Sequence, residues 1–356
     1  MRSVKIGDKT IGDGHPTFIL AEMACSHDGS VENAKKIVDG AADAKADAIC
    51  VHLISMEDSM VPHYGSGRGR VSAGKESLSI YQYLCSINLN DKAWGEVFLH
   101  TKKRGLLVCA LCYDMPSLKL ASKLGSDAYV ISPATLGEEK LLRAIAATKK
   151  PIFVRTGGAY LGEIERAVSV IKEAGNEDII LTHGFQNYPT KLEDMHLRHL
   201  QSLKQIFSLP VGFADHTDGG SEIALIVPLV ALPFGANVIE KHITYDRSAK
   251  GEDFESALNP EDFKRFVKNL HEVEKTFGHP FVRPFSDDEL NYRQVVKKRT
   301  VASRNIKKGE RITEDNVAFK RSDEGIFPEE IRYALGRTAN RDIKKNDPIT
   351  WDVLAS

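Results

Sequence analysis

The chain has 356 residues, 42% of them hydrophobic and 27% charged, with a formal net charge of −1. That balance suits a large globular core with a second small domain. It excludes the basic field that nucleic acid requires, and no apolar run reaches the ~18 residues of a membrane helix. The opening MRSVKIGDKTIGDG lacks the apolar core of a secretory signal, and five cysteines (Cys25, Cys50, Cys85, Cys109, Cys112) are an odd, sparse set pointing to reduced thiols in a cytoplasm.

Strand-like and helix-like stretches alternate. Phe18–Ala21 reads as a strand and Val31–Ala44 as an Ala-rich helix. Ala48–Leu53 precedes the helix Asp91–Lys103, and Leu106–Ala110 precedes a helix over about Pro116–Leu124. Ala128–Ile131 leads to Glu138–Thr148, Ile152–Val154 to Leu161–Ala174, and Ile179–Leu181 to Leu192–Phe207. Val211–Phe213 precedes an apolar helix around Ile223–Leu232, and Val238–Ile239 precedes Pro260–Phe277. Near-continuous apolar strands imply burial on both faces, as in parallel sheets. Eight such units in about 280 residues suit a closed (β/α)8 TIM barrel. The long excursion Met56–Ser79 carries HYGSGRGR (His63–Arg70) where barrel enzymes place lids and substrate contacts.

The polar, Pro-containing stretch after Phe277 reads as a linker. Beyond it, Asn305-Ile-Lys-Lys-Gly-Glu310 is echoed by Asp342-Ile-Lys-Lys-Asn-Asp347, which suggests a small β-rich domain. The expected organisation is a barrel over 1–280, a linker over 281–298 and the small domain over 299–356.

In such a barrel reactive side chains project from the C-terminal strand ends. Those ends supply Glu22, His52, Ser132, Arg155, His183, Gln186, Tyr188, His216, Glu240 and His242. A lone histidine is ordinarily a hydrogen-bonded core residue. Two at successive strand ends with carboxylates nearby point instead to a shared divalent ion such as Mn²⁺ or Mg²⁺, which polarises a carbonyl as a Lewis acid. Glu22 and Glu240 are then candidates for proton transfer or hydroxyl binding; pairing with a nearby Lys or Arg is the alternative.

These motifs resemble the sialic acid synthase family, which includes pseudaminic and legionaminic acid synthases and spore-coat polysaccharide synthases. Ala21-Glu22 with Ser26-His27-Asp28-Gly29 is similar to the AEI…NHNG opening. Phe213-Ala-Asp-His-Thr217 is similar to LSDHT, Ile239-Glu-Lys-His242 to IEKH, and Tyr188-Pro-Thr190 to YPTP. Gly251-Glu-Asp253 with Ser256-Ala-Leu258 resembles GPD…SL. The tail resembles the antifreeze-like (SAF) domain, with Lys320-Arg321 at its KRPG and Gly336-Arg337 at its LGK. The resemblance implies a metal-dependent enzyme, with manganese as the expected ion at His216 and His242. Phosphoenolpyruvate would attack the open-chain aldehyde of an N-acyl sugar such as N-acetylmannosamine, releasing phosphate and a 2-keto sugar acid. It also implies a domain-swapped homodimer in which Arg321 reaches the partner's sugar, with Glu22, Tyr188, Glu240 and Asp253 at the sugar or the reacting centre.

The departures cluster. The phosphate-binding lysine of KI(A/P)S becomes Val130. KFQ loses its lysine to Cys50 and its glutamine to His52. The serine before DHT becomes Ala214, the asparagine before YPTP becomes Gln186, and STPFD becomes Ala110-Leu-Cys-Tyr-Asp114. Against these losses, STG becomes Arg155-Thr-Gly157. An arginine fork suits phosphate or carboxylate, so Arg155 is expected to take over the anion, with Arg68 and Arg70 in support. The alternative is an ion pair with a nearby carboxylate. Two further readings follow from the losses: a metal-dependent aldolase or lyase using pyruvate or another keto acid, and a sugar-binding protein without turnover.

Overall fold

The apolar runs form a closed parallel barrel because each is covered on both faces. In the computed structural model, which describes residues 2–63, 78–278 and 282–355, an antiparallel hairpin of β1 (Val4–Ile6) and β2 (Lys9–Ile11) comes first. The barrel strands are β3 (Phe18–Ala24), β4 (Ala48–Leu53), β5 (Leu107–Cys112), β6 (Ala128–Ile131), β7 (Ile152–Arg155), β8 (Ile179–His183), β9 (Val211–Asp215) and β10 (Ala236–His242). They lie side by side in chain order, and β10 pairs back onto β3. No helix among the described residues is long and apolar enough to cross a membrane.

Alternation along each strand sends successive side chains to opposite faces. Outward Ile19, Ala21, Ile49 and Val51 pack with Ile37, Val38 and Ala41 of the helix Val31–Asp43. Inward Phe18, Leu20, Cys50, Cys109, Val130 and Phe153 form a second apolar cluster, which Val4, Ile6 and Ile11 of the hairpin join. The hairpin therefore plugs the barrel at the end where its strands begin, leaving polar side chains for the opposite mouth.

Local chemistry explains where elements differ from the sequence reading. The stretch Ile223–Leu232 is a broken helix: one turn of 3-10 (Glu222–Leu225), a short α-helix (Val227–Ala231) and a second 3-10 turn (Leu232–Phe234). Pro228 and Pro233 remove the donors a continuous helix requires. The run Leu192–Phe207 holds its helix only from His199, after a separate turn at Leu192–Asp194. The linker stretch carries the helix Asp287–Val295, closed by a reciprocal capping box between Ser286 and Glu289. The β1–β2 hairpin and the helix Ile80–Ile87 lie outside the elements read from sequence.

The chain divides into two units, Met1–Phe277 and Gly278–Ser356. The second holds the antiparallel pair β11 (Arg299–Ala302) and β12 (Val317–Lys320) around a core that includes Ile306, Ile312, Ile326, Ile343 and Ile349. Its two sequence repeats face each other. Ile306 and Ile343 exchange both backbone hydrogen bonds at 2.9 Å. Asp342 accepts from the Lys308 amide, and Asn305 accepts from the Lys345 amide, each at 2.8 Å.

Two buried polar groups of the barrel make stability predictions. Lys241 Nζ donates to Asp215 Oδ2 at 2.7 Å, both side chains being fully buried, and Asp215 Oδ1 also accepts from the Thr217 amide. Lys241→Met leaves that carboxylate uncompensated, so urea unfolding should show a loss of about 3–5 kcal/mol. A loss within about 1 kcal/mol, the range of an exposed pair, would refute the assignment. His183 is buried, its Nε2 donates to the Met195 carbonyl at 2.9 Å, and burial lowers its pKa from 6.5 to about 4. The unfolded chain then binds one more proton than the native chain between those values. This contribution to stability is complete above pH 6.5 and lost as the pH falls to about 4, reaching roughly 3 kcal/mol. His183→Gln should flatten the wild-type slope of unfolding free energy over that window; an unchanged slope contradicts it.

Candidate active site at the barrel mouth

The closure of β10 onto β3 brings the chemistry together. His242 and Glu22 are register partners across that seam, and β9, which pairs with β10 on its other side, ends one residue before His216. The His216 and His242 rings lie 5.1 Å apart, centroid to centroid, and the Tyr188 ring sits 4.4 Å from the first and 5.6 Å from the second. His216 Nδ1 is hydrogen-bonded to the Phe185 carbonyl, so that nitrogen carries the proton and Nε2 presents its lone pair. Burial drives the His216 pKa down to about 4, and burial with His216 beside it holds His242 well below the usual imidazole range. Both imidazoles are therefore neutral. His242 Nδ1 is buried without a hydrogen-bond partner among the described residues.

Arg155 reaches across from β7 into this group. Its Nη2 pairs with Glu22 and lies 2.9 Å from Glu240 Oε1, in ion-pair contact without hydrogen-bond alignment; its Nε donates to Glu240 Oε2 at 3.2 Å. The same guanidinium is 3.5 Å from His52 Nε2 and 3.7 Å from Cys50 Sγ. Burial opposes charge on Arg155, but Glu240 and Glu22 outweigh it and hold the guanidinium protonated. Burial also pushes the Glu22 carboxyl up. Arg155 and then His52, whose Nε2 lies 3.4 Å from Glu22 Oε1, more than reverse that and hold Glu22 well below the usual carboxylate range. For Glu240 burial prevails: aided by the Glu22 charge and opposed by Arg155, it raises the carboxyl to about 7. One guanidinium thus serves two carboxylates in different protonation regimes, an arrangement suited to moving a proton.

The sequence candidates fall into two groups. Glu22, His52, Arg155, Tyr188, His216, Glu240 and His242 converge at the mouth. Arg155 is engaged by carboxylates, the alternative that the sequence left open beside an anion-binding role. The phenol of Tyr188 is pushed up by burial and by Asp253, whose loop follows β10 and whose backbone is left-handed (φ 59°). Gln186 is exposed and accepts from Tyr188 Oη at 3.2 Å. Arg321 belongs to the second unit, follows β12 and is exposed. Arg68 and Arg70 lie outside the described residues.

The substituted positions are equally informative. Val130 and Cys50 are members of the apolar interior cluster. Ala214 lies where a side chain on Gly184 would go: a Cβ there meets its carbonyl at 2.6 Å and its Cβ at 2.8 Å, so Gly184 has no room for a larger residue. Sequence reasoning missed Tyr113, whose hydroxyl is 3.5 Å from His52 Nδ1. It also missed the chemical position of Cys50. Both stand two residues from an inward-facing neighbour on their strand, the period-2 signal that finds them.

Two sets of side chains bear on a metal. Ligand atoms of Glu22, Cys50 and His52 all lie within 4.8 Å of one another. That space is already served by a cation, because the Arg155 guanidinium contacts all three, and burial keeps the Cys50 thiol protonated. His216 and His242 fit an ion better: two neutral imidazoles, one held by a backbone carbonyl and one with an unpartnered buried nitrogen, stand beside Glu22.

Comparison with known proteins agrees with this architecture. The NeuB family profile matches residues 37–281 and the SAF domain profile matches residues 300–355. An uncharacterized protein of Methanocaldococcus jannaschii is 35% identical over 99% of both chains. The N,N'-diacetyllegionaminic acid synthase of Campylobacter jejuni is 31% identical over 94% of this chain and 98% of that protein. Among solved structures, the N-acetylneuraminic acid (sialic acid) synthetase of Leptospira borgpetersenii, in complex with citrate, superimposes with a TM-score of 0.70 at 29% identity. That match covers 83% of this chain and 97% of that one. The chain belongs to the NeuB family and carries a C-terminal SAF domain.

Proposed function

We propose that this chain is a carbon–carbon bond-forming synthase that joins a phosphoenolpyruvate donor to the aldehyde of an open-chain, N-acetylmannosamine-like sugar, yielding a 2-keto sugar acid and phosphate. The observation that carries the reading is the pairing of neutral His216 and His242 with Glu22 and Glu240 at one barrel mouth. A divalent ion, manganese by preference, would be held by His216 and His242 with Glu22 beside them, and when bound it supplies Lewis-acid polarisation of a carbonyl. Glu240, with its carboxyl near 7, holds or releases a proton at the reacting carbon's oxygen. Arg155 fixes the directions of both carboxylates, and Tyr188 closes over the imidazoles with its phenol neutral. His52, Gln186 and Asp253 are the remaining sugar-side contacts of this reading. In a domain-swapped homodimer, Arg321 of one subunit would serve the other's sugar.

A second reading has a specific observation in its favour. Val130 and Cys50 make the barrel floor apolar, and Arg155, 3.7 Å from the Cys50 sulfur, is spent on two carboxylates. A donor without a phosphate, pyruvate or another keto acid, suits that floor; the chemistry is then a metal-dependent aldol addition.

The two are separated by incubating the Mn²⁺-loaded protein with N-acetylmannosamine and each donor in turn. Release of one phosphate per 2-keto acid from phosphoenolpyruvate supports the first reading, and consumption of pyruvate with no phosphate supports the second. His216→Ala and His242→Ala should each weaken Mn²⁺ binding at least about tenfold, measured by electron paramagnetic resonance; unaltered binding would move the ion elsewhere. Arg321→Ala should raise the KM for the sugar about tenfold or more and leave the donor KM unchanged, since a lost charged contact costs about 1.5–3 kcal/mol.

A further inference from the structure

A second cavity lies beside the mouth. It has a volume of about 660 Å³, between the turn that follows β7 and the segment that joins β8 to the helix His199–Phe207. Such a volume suits a small organic ligand. Arg198 and the imidazoles of His183, His196 and His199 line it, and no Asp or Glu does. Arg198 is exposed and makes no ion pair among the described residues.

The lining also supplies donors. Gly157 and Gly158 line the cavity, and their backbone amides have no hydrogen-bond partner among the described residues. Successive free amides at such a turn form a concavity that receives an oxyanion. Ser202, on the helix His199–Phe207, adds a hydroxyl. One group has the opposite character. His183 is 6% exposed, and with its Nε2 donating to Met195, its Nδ1 is an acceptor with no partner among the described residues. Cation and donors call for an anionic group, and the imidazole acceptor in the lining calls for a hydroxyl. A metal ion fits less well, because the imidazole nitrogens around this cavity do not form a convergent set; among the described residues the convergent group is Glu22, Cys50 and His52.

We propose that this cavity binds a small hydroxylated anion, a sugar phosphate or a sugar acid, with its anionic group between Arg198 and the Gly157–Gly158 amides and a hydroxyl donating to His183. Glu22, Arg155, His216, Glu240 and His242 are not among its lining residues, and the proposal does not depend on which donor the reacting centre uses. The test is calorimetric titration of the full chain, without substrates for turnover, with glucose 6-phosphate, gluconate and inorganic phosphate. Saturable binding of glucose 6-phosphate or gluconate is expected, and whichever binds tighter identifies the anion as phosphate or carboxylate. Arg198→Ala should weaken it about tenfold and Arg198→Glu more, with the thermal unfolding transition and Mn²⁺ binding unchanged. Three results overturn the proposal: no saturable binding below about 10 mM, inorganic phosphate binding as tightly as the hydroxylated ligands, or undiminished affinity in both Arg198 variants. Because no product is measured, this outcome is independent of the condensation assay.

Discussion

A single guanidinium organises the barrel mouth. Arg155 stands among two buried carboxylates, an imidazole and a thiol, and its charge is what opposes burial at both carboxylates. Without it Glu22 and Glu240 would share a desolvated space with no counter-charge, a situation that buried groups escape by taking up protons. With it Glu22 stays ionised and Glu240 sits near neutrality. The cost falls on anion recognition, since a fork that clasps two carboxylates has little left for a phosphate. The apolar floor at Cys50 and Val130 is consistent with that: where a cation is already balanced from within, flanking lysines would add charge with nothing to meet it.

The parts of this site that are legible in sequence are those governed by strand order. His216 directly follows β9 and His242 ends β10, consecutive barrel strands, so their proximity is a consequence of connectivity. Glu22 joins them because the last strand of a closed barrel returns to the first. Arg155 is different. It lies on the fifth barrel strand, and its engagement with the first and eighth depends on side-chain length across the interior, which no linear spacing encodes. The SAF domain shows the same division. Its repeat is visible as a pattern, yet that the two copies pair with each other through Ile306 and Ile343 is a tertiary fact. The broken helix at 222–234 was legible through Pro228 and Pro233, and apolar content alone misjudged it.

Membership of the NeuB family and these substituted inward positions coexist without conflict. A barrel separates scaffold from chemistry: outward residues and the hairpin plug maintain the fold, and a few inward positions at one end select the reaction. Changes at Cys50, His52, Val130 and Arg155 leave the outward packing untouched, so a relative can keep the metal-side residues while altering what approaches them.

The Lys241–Asp215 pair gives this separation an exception. Each of its members is the sequence neighbour of a proposed metal ligand, Lys241 before His242 and Asp215 before His216, and each points away from the barrel interior. The pair therefore ties the two neighbouring strands together on the outside of the wall, one residue from each imidazole. Part of what holds His216 and His242 side by side is thus a fully buried ion pair on the far face of the wall, a position that faces neither the barrel mouth nor solvent.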